Sequence, residues 1–169
     1  SNNALLNINL GGALIPIIVS GSLIYKKKLD LKRVVLGTAL IAISAFYLSR
    51  FEPNLGIVAE FPQYLAPSVI SIILSFLLFK KTKTRIPFVY ASSVLGVLIG
   101  ADLVRIPMLI DQGVLGSIGG AGAMDLVYLS GLIAVIPLML VYYYKEPYSR
   151  SSNRLNECEK MVDNRKYPN

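Results

Sequence analysis

Two aspartates, Asp102 and Asp125, stand inside otherwise apolar stretches, and each closes a run of small residues. A carboxylate at bilayer depth is costly and usually serves a function. The runs Gly96-Val97-Leu98-Ile99-Gly100-Ala101-Asp102 and Gly119-Gly120-Ala121-Gly122-Ala123-Met124-Asp125 follow one template: Gly, three residues, a small residue, one more, then Asp. On a helix the two small residues of each run share a face where a neighbouring backbone can approach. At about 100° per residue the aspartate projects away from that stripe. Gly96, Gly100, Gly119, Gly120, Gly122 and Ala123 are therefore candidate packing positions, and Asp102 and Asp125 are offered to a second neighbour.

Paired carboxylates of this kind suit a proton, a cation or a small cationic solute. If close enough to share a proton they also suit peptide hydrolysis, one activating water while the other donates a proton. Arg105, three residues after Asp102, can share its helix face as an ion-pair partner. It would then balance the charge or gate access, and it leaves an anionic solute open. Tyr128 stands in the same relation to Asp125, and Asn7 and Asn9 precede Gly11-Gly12-Ala13 and Pro16 in the first apolar segment, as possible neutral ligands. The structural alternative is a satisfied ion pair with hydrogen bonds that fix helix register.

These residues need elements to hold them, and the composition says which kind. Apolar residues fill 54% of the 169 positions and charged ones 16%, more apolar surface than one soluble core can hide. A helical membrane protein is the expected class. A hydrocarbon core takes about twenty apolar residues as a helix, and five segments approach that length: 4–25, 34–49, 64–79, 86–110 and 118–144. The second and third are short enough to need tilt or local thinning. Residues 1–144 read as one transmembrane helical domain and 145–169 as a polar tail with only a faint helical spacing in Leu155, Cys158 and Val162.

Charge supplies the orientation. Lys26, Lys27, Lys28, Lys32 and Arg33, then Lys80, Lys81, Lys83 and Arg85, and then six tail residues place fifteen of the seventeen basic residues on alternate segment ends. The positive-inside rule makes these ends cytoplasmic, with the N-terminus outside. Such an N-terminus without a signal sequence predicts a further span before Ser1. Tyr142, Tyr143 and Tyr144 ahead of Lys145 read as an interfacial anchor. Between Glu52 and Glu60, the short apolar stretch Gly56-Ile57-Val58-Ala59 reads either as an interfacial or re-entrant segment or as an ordinary outer loop. By helical rise Asp102 lies about 12 Å from the outer end at Ile110 and Asp125 about 10 Å from Ile118, at matching depth.

Other chemistries are disfavoured. A single Cys158 and the absence of His argue against a disulfide framework and a thiolate or imidazole metal site, and no cofactor is implied. The basic residues sit in blocks between apolar segments, which topology explains better than nucleic acid. The partners expected are the lipid bilayer, an ion or small solute, and a second copy of the chain, since five short helices enclose little volume.

Gly11-Gly12-Ala13-Leu14-Ile15-Pro16, Gly56-Ile57-Val58 with the following prolines, Gly100-Ala101-Asp102-Leu103, and Ser117-Ile118-Gly119-Gly120-Ala121-Gly122 leading to Asp125 together resemble an uncharacterised prokaryotic membrane family, domain of unknown function 1614. The likeness covers about residues 5–140 and implies a polytopic fold in a prokaryotic plasma membrane but no established activity. Where the family pattern has Thr-Phe-Asp-Gly, this chain has Ala123-Met124-Asp125-Leu126. A looser similarity is to intramembrane aspartyl proteases of the presenilin and signal-peptide-peptidase kind, which place one aspartate on each of two neighbouring helices. Their second aspartate directly follows Gly-x-Gly, whereas Ala123 and Met124 intervene here. Gly11-Gly12-Ala13 and Gly119-Gly120-Ala121, each followed by a Ser-Gly pair, also suggest a parallel internal repeat.

The expected function is an intramembrane binding or transport site for a proton, cation or small solute, built on Asp102 and Asp125. The alternatives are an aspartyl protease with those two residues as the acid and base pair, and a membrane scaffold or subunit without chemistry of its own.

Overall fold

The structure is a computed structural model and describes residues 6–52, 56–58, 62–107, 116–118, 127 and 129–144. Five helices dominate these residues. The first, α1 (Ile15–Lys26), is preceded by a π turn, Leu10–Leu14, and α2 spans Leu31–Leu48. After α3 (Ala66–Leu78), α4 (Thr82–Val97) continues through a second π turn, Leu98–Asp102, into a 3₁₀ turn, Leu103–Arg105. The fifth, α5, spans Leu129–Tyr144.

Local chemistry sets the helix starts. Pro16 and Pro67 occupy the first turns of α1 and α3, where a missing N–H costs nothing. Asp30 caps α2 by accepting from the Lys32 amide at 3.1 Å. Lys28 adopts a left-handed conformation with φ 47°, which lets the chain turn tightly between α1 and α2.

The helical class expected from the pattern is present, but two parts of the spans are not helix. Leu6–Ile8 (β1) is extended and pairs in parallel with Gly116–Ile118 (β4), in the register Leu6↔Gly116, Asn7↔Ser117 and Ile8↔Ile118. The first helical segment therefore begins near Leu10 instead of residue 4, and Ile118 belongs to a strand instead of starting the last helix. The ladder explains the change. It satisfies the backbone groups that short Asn- and Gly-bearing sequences satisfy poorly as helix, and the Asn9 amide extends it by donating to the Ile118 carbonyl at 2.9 Å. The stretch Gly56–Val58 (β3) is likewise one arm of an antiparallel hairpin with Arg50–Glu52 (β2), with Phe51↔Ile57 at its centre. Its backbone is thus paired with the segment that leaves α2.

Contacts along α2 and α4 show that the two helices run in the same direction. Gly37 meets Phe88, Ile41 meets Gly96, Ala42 meets Gly100, and Arg105 reaches Phe46 and Ser49. Helix α3 runs against α2, because Arg33 at the start of α2 donates to the Leu78 carbonyl at the end of α3. Lys26 to Arg33 and Lys80 to Arg85 consequently gather at one end, the basic end, and the β2–β3 hairpin and both π turns sit at the other.

Helix α4 is the axis of the bundle. Phe88, Val89, Ala91, Ser92, Ser93, Val94 and Val97 are all fully buried. The core at the basic end is built from large side chains, including Leu29, Phe79, Phe88 and Leu138. At the opposite end it is built largely from small or β-branched ones, including Ala13, Ala45, Val97, Ala101 and Val127. The outward faces are apolar: Leu36, Leu40 and Ile43 on α2, Ile73, Phe76 and Leu77 on α3, and Ile136, Met139 and Leu140 on α5 are all exposed. Leu31–Leu48 and Lys83–Arg105 are long and apolar enough to cross a membrane, and Leu10–Lys26, Gln63–Leu78 and Leu129–Tyr144 are shorter apolar helices.

Candidate functional site

Asp102 ends the π turn at the exit of α4 and is 8% exposed, so its carboxyl belongs to the protein interior. A π turn takes in one more residue per hydrogen-bonded ring than an α-helix and often marks a functional position. Its effect here is geometric. The phase carried from Gly96 at about 100° per residue no longer holds beyond Leu98, so the projection of Asp102 expected from regular helix is revised.

The glycine stripe ahead of Asp102 lies against α2. A Cβ on Gly100 would fall 2.0 Å from the Ala42 carbonyl oxygen, and one on Gly96 would fall 2.6 Å from Ile41 Cγ2. Only hydrogen fits between the two backbones, which leaves the Gly100 Cα hydrogen directed at the Ala42 carbonyl in the manner of a weak Cα–H···O contact.

Arg105 is 9% exposed, and its described contacts run to α2 instead of along its own helix. The guanidinium donates to the Phe46 carbonyl at 2.7 Å and to the Ser49 carbonyl, and it stacks over the Phe46 ring with its central carbon 4.9 Å from the ring centroid. These carbonyls are among those left unsatisfied where α2 ends at Leu48. Arg105 is thus a C-terminal cap supplied in trans by the neighbouring helix, favourably placed for the negative end of the α2 dipole. Arginines do the same at the basic end, where Arg33 and Arg85 donate to the Leu78 and Phe79 carbonyls at the end of α3.

Asn9 caps the other π turn, its Oδ1 accepting from the Gly11 amide at 3.0 Å. Ala13 at the end of this turn packs in one core cluster with Leu98, Ala101 and Val127. The first π turn and Val127 therefore share a core cluster with the π turn that carries Asp102. Asp125, Tyr128, Gly119, Gly120, Gly122 and Ala123 lie outside the described residues, as does the side chain of Asn7.

A set of buried hydroxyls was not singled out in the sequence. Ser68, Ser71 and Ser75 on α3, Ser92 and Ser93 on α4, Ser20 on α1 and Ser130 on α5 are all fully buried. Ser68 Oγ joins α3 to α5 by donating to the Ser130 carbonyl at 2.9 Å, while Ser71, Ser75 and Ser130 donate back to carbonyls three residues earlier in their own helices. The helical spacing of Ser68, Ser71 and Ser75 was a legible signal of one polar face. Ser20, Thr38, Ser49 and Ser93 hydroxyls and the Arg105 Nε have no hydrogen-bond partner among the described residues. Those residues also hold no cluster of His, Cys, Asp and Glu able to ligate a metal.

The sequence profile of the family described as "Protein of unknown function (DUF1614)" matches residues 1–137. No curated protein and no solved structure matches the chain. The similarity to intramembrane aspartyl proteases is not supported by these comparisons.

Proposed function

This chain belongs to the domain of unknown function 1614 family, and we propose that it is an integral membrane protein that binds or passes a proton or small cation at an intramembrane site centred on Asp102. The observation that carries the reading is the burial of Asp102 at the end of a π turn in the axial helix. An acid kept there by sequence and backbone geometry alike would seldom lack a use. The carboxyl group at the centre of the site favours a proton or cation over an anion, and Arg105 directs two of its hydrogen bonds to the Phe46 and Ser49 carbonyls. The hydroxyls of Ser20, Thr38, Ser49 and Ser93, buried without a hydrogen-bond partner among the described residues, support a hydrated or proton-conducting interior, since buried polar atoms ordinarily find a partner.

In this reading all five helices cross the bilayer, the basic end faces the cytoplasm, and the apolar outward faces meet lipid. Exposed Tyr25, Tyr143 and Tyr144 at the basic end and Tyr47 at the opposite end suit the two interfaces. Asp125, two positions before Val127 in the sequence, serves in this reading as the second acid of the site; Val127 itself belongs to the same core cluster as Ala101. A scaffold role draws less support, because Gly96 and Gly100 are already occupied by α2 of the same chain.

The test is uptake into proteoliposomes of protons, Na⁺, K⁺ and small organic cations. Asp102→Asn is expected to abolish the flux while preserving the thermal unfolding profile. Flux unchanged in Asp102→Asn, or none of these species carried by the unaltered protein, overturns the proposal.

A further inference from the structure

At the basic end a groove of about 280 Å³ opens between α1, α4 and α5. Its walls are apolar, from Leu23, Ile86, Pro87 and Val135, and two lysines, Lys27 and Lys83, border it. Lys27 caps the end of α1 and Lys83 lies in the first turn of α4, and both are exposed.

The basic residues at this end divide by type. Arg33 is held by Asp30 at 3.2 Å and by the Leu78 carbonyl, while Arg85 is held by the Phe79 carbonyl at 2.7 Å and the Phe76 ring. Lys27 and Lys83 make no ion pair among the described residues, and Asp30, already paired with Arg33, is the one described acidic side chain at this end. The groove thus joins an unneutralised positive rim to an apolar floor between helices.

We propose that this groove binds an anionic phospholipid, with the headgroup phosphate between Lys27 and Lys83 and the start of an acyl chain along Leu23, Ile86, Pro87 and Val135. Charge complementarity selects the anionic headgroup, and basic pockets between helices on the cytoplasmic side of a membrane suit such lipids. The apolar floor selects a lipid over a soluble phosphate, because only the lipid fills it. The inference rests on the membrane reading above, and the experiment separates the two.

The full chain is first floated with phosphatidylcholine vesicles, and failure to float overturns both readings. In nanodiscs, lipid retention is then measured by native mass spectrometry against phosphatidylglycerol and phosphatidylcholine. Preferential retention of phosphatidylglycerol is expected, weakened about fivefold by either Lys27→Gln or Lys83→Gln, the effect of one basic residue near a membrane surface. Val135→Phe, which fills the floor without changing charge, is expected to weaken it too, whereas the double variant Lys80→Gln/Lys81→Gln is expected to leave it within twofold. Equal retention of the two lipids overturns the groove proposal alone. So does an equal loss in the Lys80/Lys81 control, which would mean diffuse surface charge, and so does full competition by glycerophosphate or inorganic phosphate, which would mean a headgroup site without a lipid floor.

Discussion

The two π turns solve one problem in opposite ways. Leu10–Leu14 opens a helix, lies partly in the open with Leu10 66% and Leu14 44% exposed, and is held by hydrogen bonds: Asn9 caps it and the β1–β4 ladder anchors its entry. Leu98–Asp102 closes a helix with Leu98, Gly100, Ala101 and Asp102 all buried, and is held by packing against α2. The first tolerates small changes in shape because solvent or a cap can take up the difference. The second cannot, because the facing atoms are backbone. The acid sits in the turn that cannot relax, as a site needing a fixed carboxyl position would have it.

The sharpest way to break this contrast is to add one methyl group to each turn. Gly100→Ala would drive a Cβ into the Ala42 carbonyl and is expected to cost about 3 kcal/mol or more. In Gly11→Ala the nearest atom is Asn9 Oδ1 at an ordinary 3.6 Å, and the change is expected to stay within about 1 kcal/mol. Thermal unfolding in detergent compares them, and equal effects would show that the second turn relaxes as readily as the first. A smaller effect is expected from Arg105→Met, which keeps the bulk over Phe46 but removes both bonds to the end of α2. The loss should be about 2 kcal/mol, with faster hydrogen exchange confined to the last turn of α2, and unchanged exchange there would remove Arg105 as its cap. The smallest, about 1 kcal/mol, is expected for Asn9→Ala, with loosening at the entry to α1 read by the same exchange experiment. No loosening there would mean that the β1–β4 ladder alone holds the first turn.

Much of the helical layout was legible in the sequence, because apolar length and the alternation of basic blocks depend on composition along the chain. The ends of the first and last apolar segments were not. Leu6–Ile8 and Ile118 fall inside segments that read as helix, and only the meeting of Leu6–Ile8 with Gly116–Ile118 across more than a hundred residues makes strand pairing available to them. Asp102 was visible as a charge out of place, and its burial needed α4 at the centre of the bundle. Arg105 illustrates the limit best. Its spacing from Asp102 pointed along one helix, but an arginine side chain is long enough to choose among neighbours, and the open carbonyls at the end of α2 are a partner that no local pattern displays.

By itself, then, the order of residues determined where helices form, which ends are basic, and that an acid is embedded in an apolar segment. These follow from local hydrophobicity, capping and charge. Tertiary structure decided that α4 is the buried axis, that α2 approaches Gly100 closely enough to exclude a methyl group, and that Arg105 serves a neighbouring helix. Such outcomes depend on which surfaces face one another, a property of packed pairs that no single segment carries.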